Sequence, residues 1–512
     1  MPLGPLLIRA DASLAIGAGH VMRCLALAQV WRRAGGEVTF LMASSTDFTT
    51  KRLDSEGFEI LKVPASPGTR DDANQIRNMA LERRATWIVI DGYHFSAGYV
   101  ASAKSAKWKI LRVEDEPGAE FELADAILNQ NVTAENSTYP EHTRSELLLG
   151  PRFALLRTEF AGAWQSDREI PATASKVLLT TGGGDPKNLL PRLIEAIKLS
   201  SAKLQSKLVV GTAPDKDLLP QSSYKSEDSL EVVVGSHDMV PFEAWADIAI
   251  GAAGSTCWEF CALGLPSILI DVIENQRAIA ERLSDKGICI HIPFQEASPR
   301  RIAEEIDRLI ASPLLRDEMS RRGKNLVDGH GGYRVVGVMR ALGTRFRRAT
   351  QNDCKLLWKW ANDPVTRDNS FSPAKISWDE HRDWLDERLA SDRTIIFIAE
   401  ESQIPVAVLR VEEKSPGVGE ISVTVSPEAR GFGLAPHLIR KCGKEAAEEL
   451  NFTEIHALIK SKNAASRRAF ETAGYSLTAV TEKRGCEAVR YIRQIGFKTN
   501  PNELVPTLVS EH

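Results

Sequence analysis

The fold is decided near the start of the chain, by the apolar stretch Leu6-Leu7-Ile8-Arg9-Ala10 and the turn Gly17-Ala18-Gly19-His20 that follows it. The apolar stretch predicts a buried strand, and the residues from His20 to Arg32 have the apolar spacing of a helix. A glycine-rich turn between a strand and a helix presents bare backbone amides beside the positive end of the helix dipole, where proteins often hold phosphate. We therefore expect an α/β domain whose first turn binds a phosphorylated ligand.

A second glycine turn, Arg430-Gly431-Phe432-Gly433-Leu434-Ala435, lies near the other end of the chain. It also stands between a predicted strand and a predicted helix, but its flanking residues differ from those of the first turn. The two turns are therefore not copies of one repeat. We interpret them as parts of two active sites, both for ligands that carry a pyrophosphate.

Length and composition set the broad class. The chain has 512 residues, which is too long for a single hydrophobic core and predicts two to four folding units. Its net charge of -4 gives no electrostatic reason to expect nucleic acid or a membrane surface as a partner. No apolar run reaches the ~18 residues that a membrane helix needs, and the residues from Met1 to Ile8 are too few for a signal peptide. We expect a cytoplasmic protein.

The cysteines and acidic clusters do not predict a metal site. Seven cysteines lack the paired spacing of zinc or redox motifs, so we expect buried free thiols. The run Glu114-Asp115-Glu116 has no neighbouring histidine pair, and we expect it to cap a loop without binding a metal. The basic run from Arg345 to Arg348 is interpreted as a solvated linker.

Strands alternate with helices through the first two predicted units, residues 1–150 and 151–341. This alternation predicts parallel sheets covered on both faces, with a ligand cleft at the carboxyl ends of the strands. The predicted strands of the first unit are Leu6–Ala10, Glu37–Met42, Trp87–Asp91, Ile110–Glu114 and Ala126–Asn129. Those of the second unit are Val177–Thr180, Lys207–Gly211, Leu230–Val234, Ile248–Ile250, Ser267–Asp271 and Ile288–Ile292.

The third predicted unit, residues 345–497, has a different pattern. After two helices, three strands (Thr394–Glu400, Val406–Glu412 and Glu420–Val425) follow one another without intervening helices, which predicts an antiparallel sheet. Residues 498–512 are predicted to be a flexible tail. The fold class expected for the chain is therefore a pair of Rossmann-type α/β domains followed by an α+β domain.

The carboxyl-terminal turn resembles the (Gln/Arg)-x-x-Gly-x-(Gly/Ala) signature of the GNAT N-acetyltransferases. The stretch from Asn463 to Tyr475 is similar to the Asn-x-x-Ser and Gly-(Phe/Tyr) helix of that family, and the opening from Trp358 to Pro364 resembles members that acetylate nucleotide sugars or ribosomal proteins. The resemblance implies acetyl-CoA as cosubstrate. The residues it implies for acetyl-CoA binding are Val425, Arg430, Gly431, Gly433, Leu434, Ala435, Asn463 and Ser466.

Two features depart from the GNAT pattern. Only one step separates Arg430 from Gly431. Many members also use a tyrosine to protonate the departing thiolate, and Phe470 stands at that position here. Either another group serves or the thiolate leaves without protonation by this residue. Glu420 and His381 are candidate bases for the amine, with an exposed helix histidine as the alternative interpretation of His381.

Residues 4–340 resemble the UDP-sugar hydrolases of pseudaminic acid biosynthesis, which share the two-domain GT-B architecture. The likeness is carried by the opening segment from Arg9 to Ala28 and by motifs along both predicted units. These motifs are Asp91-Gly92-Tyr93, Gly150 to Arg157, Thr181 to Asn188, Gly251 to Glu259 and Glu274-Asn275-Gln276. The resemblance implies that UDP binds between the two domains and that the bond from the sugar carbon to oxygen is cleaved with inversion.

A site can be written from these residues. His20 is the expected base that activates water, and Asp11 and Tyr93 are expected to place water or sugar, with packing as the alternative role of Tyr93. Glu259 is expected to accept hydrogen bonds from the ribose. The remaining residues predicted to bind UDP or substrate are Gly17, Gly19, Gly183, Gly184, Gly254, Ser255, Thr256, Asn275 and Gln276.

Together the two resemblances imply consecutive steps on UDP-amino-sugars: acetylation of an amino group, then release of the sugar from UDP. One alternative is a glycosyltransferase that uses an acceptor other than water, and another is the equivalent route to legionaminic acid. A third is a nucleotide-sugar-binding regulator whose acetyltransferase modifies a protein amine. The sequence carries no signal of the oligomeric state.

Overall fold

A computed structural model describes residues 3–13, 16–116, 123–135, 138–140, 143–182, 187–211 and 229–495. The chain forms two compact units, which we call unit 1 (Met1–Met339) and unit 2 (Arg340–His512). The predicted tail at residues 498–512 lies outside the described residues.

The first half of unit 1 is built on a seven-stranded parallel sheet with the strand order β3-β2-β1-β4-β5-β6-β7. Its strands are β1 (Leu6–Ala10), β2 (Val38–Met42), β3 (Glu59–Lys62), β4 (Trp87–Asp91), β5 (Lys109–Val113), β6 (Ala126–Asn129) and β7 (Glu146–Leu149). The helices are α1 (Gly19–Arg33), α2 (Asp47–Ser55), α3 (Arg70–Glu82), α4 (Ala97–Ala103) and α5 (Thr158–Trp164). The strand order reverses between β1 and β4, and such a reversal opens a crevice at the carboxyl ends of the two strands.

The second half of unit 1 has a six-stranded parallel sheet with the order β10-β9-β8-β11-β12-β13. Its strands are β8 (Lys176–Thr180), β9 (Gln205–Val210), β10 (Ser229–Val234), β11 (Ile248–Ala252), β12 (Ser267–Asp271) and β13 (Cys289–Pro293). The helices are α6 (Leu190–Leu199), α7 (Val240–Trp245), α8 (Thr256–Leu263), α9 (Glu274–Asp285), α10 (Pro299–Ala311), α11 (Pro313–Leu326) and α12 (Gly331–Gly343). Here the order reverses between β8 and β11, so this half has its own crevice.

Unit 2 contains one seven-stranded sheet with the order β14-β15-β16-β17-β18-β20-β19. Its strands are β14 (Arg345–Arg348), β15 (Thr394–Glu401), β16 (Ile404–Ser415), β17 (Val418–Val425), β18 (Glu454–Lys460), β19 (Ser476–Lys483) and β20 (Cys486–Gln494). The helices are α13 (Cys354–Ala361), α14 (Pro364–Asn369), α15 (Trp378–Ala390), α16 (Leu434–Leu450) and α17 (Ala464–Thr472). The neighbouring strands are antiparallel except for β17 and β18, which run parallel.

The expected fold class is confirmed: two Rossmann-type sheets precede a mixed, largely antiparallel sheet. The interpretation of Arg345–Arg348 as a solvated linker is wrong, because these residues form the edge strand β14. Arg347 on this strand makes ion pairs with Asp353 at 2.7 Å and with Glu400 at 2.7 Å. Six of the seven cysteines are buried and all seven are unpaired, as expected of free thiols.

Candidate active sites

His20 lies at the crevice of the first sheet, on the first turn of α1. Its Nδ1 is 2.7 Å from Oδ1 of Asp91, the last residue of β4. The strand reversal brings these two residues together, because α1 follows β1 and β1 pairs directly with β4. A carboxylate can only accept, so this contact places the imidazole proton on Nδ1 and leaves a lone pair on Nε2. The arrangement is that of a base held by a carboxylate.

Arg23, one turn further along α1, is shared by two carboxylates. Its Nε and Nη2 each donate to Asp91 at 2.7 Å, and its Nη1 donates to Asp115 at 2.6 Å. Burial alone would raise the pKa of Asp91, but the charge of Arg23 and the hydrogen bonds from Arg23 and His20 outweigh it and hold that pKa far below its usual range. Arg23 likewise lowers the pKa of Asp115 against the effect of burial. Both carboxylates are therefore ionised at neutral pH and keep the guanidinium and the imidazole in place.

Tyr93 joins this network to the second half of unit 1. Its hydroxyl donates to Asp115 at 2.8 Å and accepts from Nδ2 of Asn275 at 3.0 Å. Its ring meets that of His20 edge-on, with centroids 4.8 Å apart. The side chain is 62% exposed, which rules out core packing as its role. Residues from both halves thus meet at His20, and the structure brings together three of the predicted site residues: His20, Tyr93 and Asn275.

Asp11 is buried one step away from this network. It pairs with Arg9 at 2.7 Å, accepts from the amides of Ala43 and Ser44 at 2.7 and 3.0 Å, and lies 3.2 Å from Nε2 of His94. These contacts occupy both carboxylate oxygens. Asp11 therefore fixes the carboxyl ends of β1 and β2 and orients the partly exposed His94.

The predicted phosphate-binding turn, which contains Gly17 and Gly19, leads into α1 and so lies beside His20. Gly17 has a left-handed φ of +73°, and a Cβ added at Gly17 or at Gly19 would meet no atom within 4 Å. Helix α1 has no acidic residue in its first turn and no side chain that caps its first amides. Bare amides and open space at a helix N-terminus suit an anion.

The second half contributes its own turn between β11 and α8, which holds Gly254, Ser255 and Thr256. Gln276 approaches this turn, with Nε2 3.5 Å from a Cβ built on Gly254, and its Oε1 accepts from the amide of Val272 at 3.0 Å. The predicted residues Gly183 and Gly184 lie outside the described residues. The described part of the turn adjoins the strand reversal of the second sheet, where the cleft was expected.

Glu259 is largely buried and engaged within the protein. It pairs with Arg157 at 3.1 Å, and burial raises its pKa in spite of that arginine. Its predicted contact with a ribose would require the carboxylate to be shared between Arg157 and the sugar.

Arg23, Asp91, Asp115 and His94 are not among the site residues predicted from the sequence. A signal for Asp91 was present in the sequence. Asp91 belongs to the same motif as Tyr93, and it is the last residue of a predicted strand. Asp115 was read as a loop cap, whereas it binds Arg23 and Tyr93.

The predicted coenzyme turn of unit 2 has the backbone that its glycines permit. Gly431 and Gly433 have φ of +85° and +69°, and Gly433 is the N-cap residue directly before α16. A Cβ added at Gly431 would meet nothing within 4 Å, and the first turn of α16 contains no acidic residue. Leu434 is buried in the core beneath the turn, and Ala435 packs against the same core. The turn therefore has the open, amide-lined form that a pyrophosphate requires.

Two predicted coenzyme residues are engaged within the protein. Arg430 donates to the carbonyl of Val425 at 3.0 Å and to Asp363 at 2.7 Å, so its side chain closes the turn. Asn463 caps α17 by accepting from the amide of Ser466 at 3.1 Å. Both side chains shape the backbone around the expected coenzyme.

Strands β17 and β18 separate along their length. They pair only from Val418 with Glu454 to Glu420 with His456, although β17 continues to Val425 and β18 to Lys460. Beyond this point each strand has only its outer neighbour, β16 or β20. The separation forms an opening between two strands of one sheet, which we call the notch.

The interpretation of His381 as an exposed helix histidine is wrong. His381 is 3% exposed and packs beside Trp384, and burial lowers its pKa. It is therefore a neutral, buried side chain. Phe470 is 2% exposed and packs edge-on against Tyr475, so it offers the notch neither a proton nor a polar atom. Glu420 is partly exposed, with Oε1 3.5 Å from Nζ of Lys414.

Two general features complete the description. Among the residues that the structure describes, no three histidine, cysteine, aspartate or glutamate side chains are grouped so as to hold a metal ion. Within the same residues, no helix combines the length and the apolar character needed to cross a bilayer.

Comparison with known proteins finds a family match in each unit. Residues 177–330 match the model of the glycosyltransferase family 28 C-terminal domain, and residues 344–476 match that of the acetyltransferase (GNAT) domain. An uncharacterized protein of Methanocaldococcus jannaschii is 22% identical over 91% of this chain and 96% of its own length. The UDP-2,4-diacetamido-2,4,6-trideoxy-beta-L-altropyranose hydrolase of Campylobacter jejuni is 25% identical over 55% of this chain and 97% of its own length.

Among solved structures, MurG of Acinetobacter baumannii matches 66% of this chain and 99% of its own, with 17% identity and a TM-score of 0.48. The family models and the two kinds of sheet agree on the organisation of the molecule. The chain is an enzyme in which a nucleotide-sugar domain of the glycosyltransferase family 28 type is fused to a GNAT acetyltransferase domain.

Proposed function

We propose that unit 1 hydrolyses a UDP-diacetamido-trideoxy sugar to free sugar and UDP. The observation that carries this proposal is the His20–Asp91 contact beside an open glycine turn, at the start of a helix that has no side-chain cap. An enzyme that uses a nucleotide sugar must bind the diphosphate of that substrate. Hydrolysis also requires a base that activates water. Unit 1 offers both within one crevice.

The chemistry follows from these groups. Nε2 of His20 takes a proton from a water molecule, whose oxygen attacks the anomeric carbon of the sugar. The bond between that carbon and the phosphate oxygen breaks, and the electron pair leaves with UDP. Amides at the turns of both halves stabilise the departing diphosphate, so no carboxylic acid is needed to protonate it. Attack from the opposite face inverts the anomeric centre.

The similarity to the Campylobacter jejuni hydrolase supports the substrate class, since it spans 97% of that enzyme. On this basis the substrate of unit 1 is UDP-2,4-diacetamido-2,4,6-trideoxy-L-altropyranose, an intermediate in pseudaminic acid biosynthesis. Residues that we assign to its binding are Gly17, Gly19, Tyr93, Gly254, Ser255, Thr256, Asn275 and Gln276.

For unit 2 we propose acetylation of the 4-amino group of the UDP-sugar precursor, with acetyl-CoA as donor. The notch between β17 and β18 and the turn at Gly431 and Gly433 support this assignment. The product of unit 2 is then the substrate of unit 1. One chain would carry out two consecutive steps.

A second candidate for unit 1 is transfer of the sugar to an acceptor hydroxyl. It is favoured by the match of residues 177–330 to a glycosyltransferase model. His20 would then deprotonate the acceptor in place of water. The two candidates differ in whether free sugar forms without an added acceptor.

Proton NMR of the purified chain with acetyl-CoA and UDP-4-amino-4,6-dideoxy-L-AltNAc tests both steps. We expect the N-acetyl signal first, then UDP and free sugar with an inverted anomeric centre. His20→Leu is expected to stop release and to leave acetylation unchanged. Release that occurs only after an acceptor alcohol is added would favour the glycosyltransferase, and acetyl label on protein instead of sugar would refute the proposal for unit 2.

A further inference from the structure

The proton that leaves the acceptor amine needs a destination in unit 2. An amine attacks a thioester only in its neutral form, so one proton must leave the ammonium before the new bond forms. The two candidates named from the sequence are weakened by the structure. His381 is buried beside Trp384, and Glu420 lies next to the ammonium of Lys414.

His456 lies at the origin of the notch. It belongs to the last residue pair between β17 and β18, where its partner is Glu420. Side chains alternate along a strand, so Glu420 and His456 share a face of the sheet. Their neighbours Ile421 and Ile455 belong to the buried core on the opposite face, with α16. His456 therefore borders the place where the two strands separate.

The His456 ring is held by its own strand. Nε2 lies 2.8 Å from Oε1 of Glu454, whose other oxygen accepts from Nε2 of Gln494 on β20 at 2.9 Å. The side chain of His456 remains 23% exposed. A carboxylate that binds one ring nitrogen leaves the other nitrogen as a proton acceptor and stabilises the imidazolium that forms.

We propose that His456 is the proton acceptor for the amine in the acetyl transfer of unit 2, and that Glu454 is its positioning residue. The ammonium of the acceptor gives one proton to Nδ1 of His456, and the neutral amine attacks the acetyl carbonyl carbon. The carbon–nitrogen bond forms, the carbon–sulfur bond breaks, and the sulfur leaves with the electron pair. The second proton of the amine ends on that thiolate, and His456 returns its proton to solvent. This inference rests on the acetyltransferase activity proposed for unit 2.

The charged groups around His456 lie on its own strand and on the neighbouring strands. These strands place both acids and bases on this face of the sheet, and Glu454 is the acid in contact with the ring. The charged groups are Arg410, Glu412, Lys414, Glu420, Glu454 and Arg490. Loss of the Glu454 carboxylate would remove the group that holds Nε2 and would destabilise the imidazolium.

The test compares His456→Gln and Glu454→Gln in the full chain with the wild type. Acetyl-CoA is the donor, and UDP-4-amino-4,6-dideoxy-L-AltNAc, spermidine and kanamycin are the amine probes. We expect His456→Gln to lower kcat about 100-fold, a typical contribution of general base catalysis, and to remove the rise of kcat/KM with pH. Glu454→Gln is expected to lower kcat about 10-fold and to change the pH profile of kcat/KM. Calorimetry should show the same affinity for acetyl-CoA in all three proteins.

His381→Gln is the matched histidine control, and it should retain the pH profile of the wild type. The proposal is overturned if His456→Gln keeps kcat within about threefold with an unchanged pH profile, or if its loss of rate follows loss of acetyl-CoA binding. Acetylation of spermidine or kanamycin but not of the sugar would refute the proposed substrate and leave the role of His456 measurable on those amines. If no probe is acetylated by the wild type, the proposals for the site and for His456 both fail.

Discussion

At the scale of single residues, the proposed role of His20 as a base depends on Asp91, which holds the imidazole proton on Nδ1. Asp91→Asn replaces a pure acceptor by an amide that can also donate, so the tautomer is no longer fixed. We expect release of UDP to slow about 100-fold or more while the affinity for UDP changes little. Steady-state release and calorimetric binding of UDP are the measurements.

The control for this change is Asp71→Asn, an exposed carboxylate on α3 of the same half. It removes the same charge without touching His20 and should leave release unchanged. Because Asp91 also binds Arg23, thermal unfolding of the variant must be recorded. Normal release by a folded Asp91→Asn protein would refute the role of this contact.

Glu114 gives a prediction about stability. Burial raises its pKa to about 7, although Tyr139 donates to it at 2.9 Å. Between its usual pKa and about 7 the folded state holds a proton that the unfolded chain has lost, so this group makes unit 1 less stable as pH rises through that window. Glu114→Gln should raise the free energy of unfolding by about 1 kcal/mol at pH 8 and change it little at pH 4.5.

Thermal unfolding of unit 1 at the two pH values measures this effect. The exposed neighbour Glu116 provides the matched change, Glu116→Gln, for which no such pH dependence is expected. Equal effects of the two substitutions at pH 8 would show that burial of Glu114 does not cost stability.

The sequence could name His20 and Tyr93 but not the residues that hold them. Asp91 and Asp115 are 68 and 92 positions from Arg23, and only the strand order brings them to one guanidinium. Pairings at such separation leave no local pattern in a single sequence. Local signals identify residues at turns and strand ends, whereas the ion pairs between those residues follow from topology.

At the scale of elements, the glycine turns are the parts of the backbone that we propose to bind ligands. Gly17 and Gly57 both have φ near +70° and open space where a Cβ would stand. Alanine at either position should destabilise the folded protein by a similar backbone strain of about 1 kcal/mol. Only Gly17→Ala places a methyl group beside the amides at the start of α1, so we expect it alone to weaken UDP binding, about tenfold by calorimetry.

Unit 2 offers the same comparison. Gly431 lies in the predicted coenzyme turn and Gly485 in the turn between β19 and β20, with φ of +85° and +72° and no atom within 4 Å of a built Cβ. Gly431→Ala should raise the Kd for acetyl-CoA about tenfold, and Gly485→Ala should leave it unchanged. Equal affinity in the two variants would place the coenzyme elsewhere.

The elements themselves were predicted unevenly. Central strands such as β1, β4 and β12 have the bounds expected from their apolar runs, because both faces of these strands are buried. The edge strands β3 and β14 were missed, because their end residues are exposed and they lack such a run. Strand β19 was missed for the same reason. The hydrophobic pattern of a sequence reflects burial, so this signal is weakest for the edge strands of a sheet.

At the scale of the whole molecule, five hydrophobic clusters of the described residues each draw on a single unit. Three of them are made of residues of unit 1 between Leu7 and Val327, and two of residues of unit 2 between Ala341 and Ile495. Separate cores allow separate unfolding transitions, which departs from two-state behaviour of the chain as a whole. Each ligand should then stabilise only the unit that binds it.

Differential scanning calorimetry tests this independence. A ligand at about 100 times its Kd stabilises the binding state by about 2.7 kcal/mol, so UDP should raise the Tm of one transition and acetyl-CoA that of the other. Gly17→Ala should reduce only the UDP shift and Gly431→Ala only the acetyl-CoA shift, which assigns each transition to its unit. A single transition that both ligands raise together would mean that the units unfold cooperatively. The two activities could then not be altered independently by substitutions that change stability.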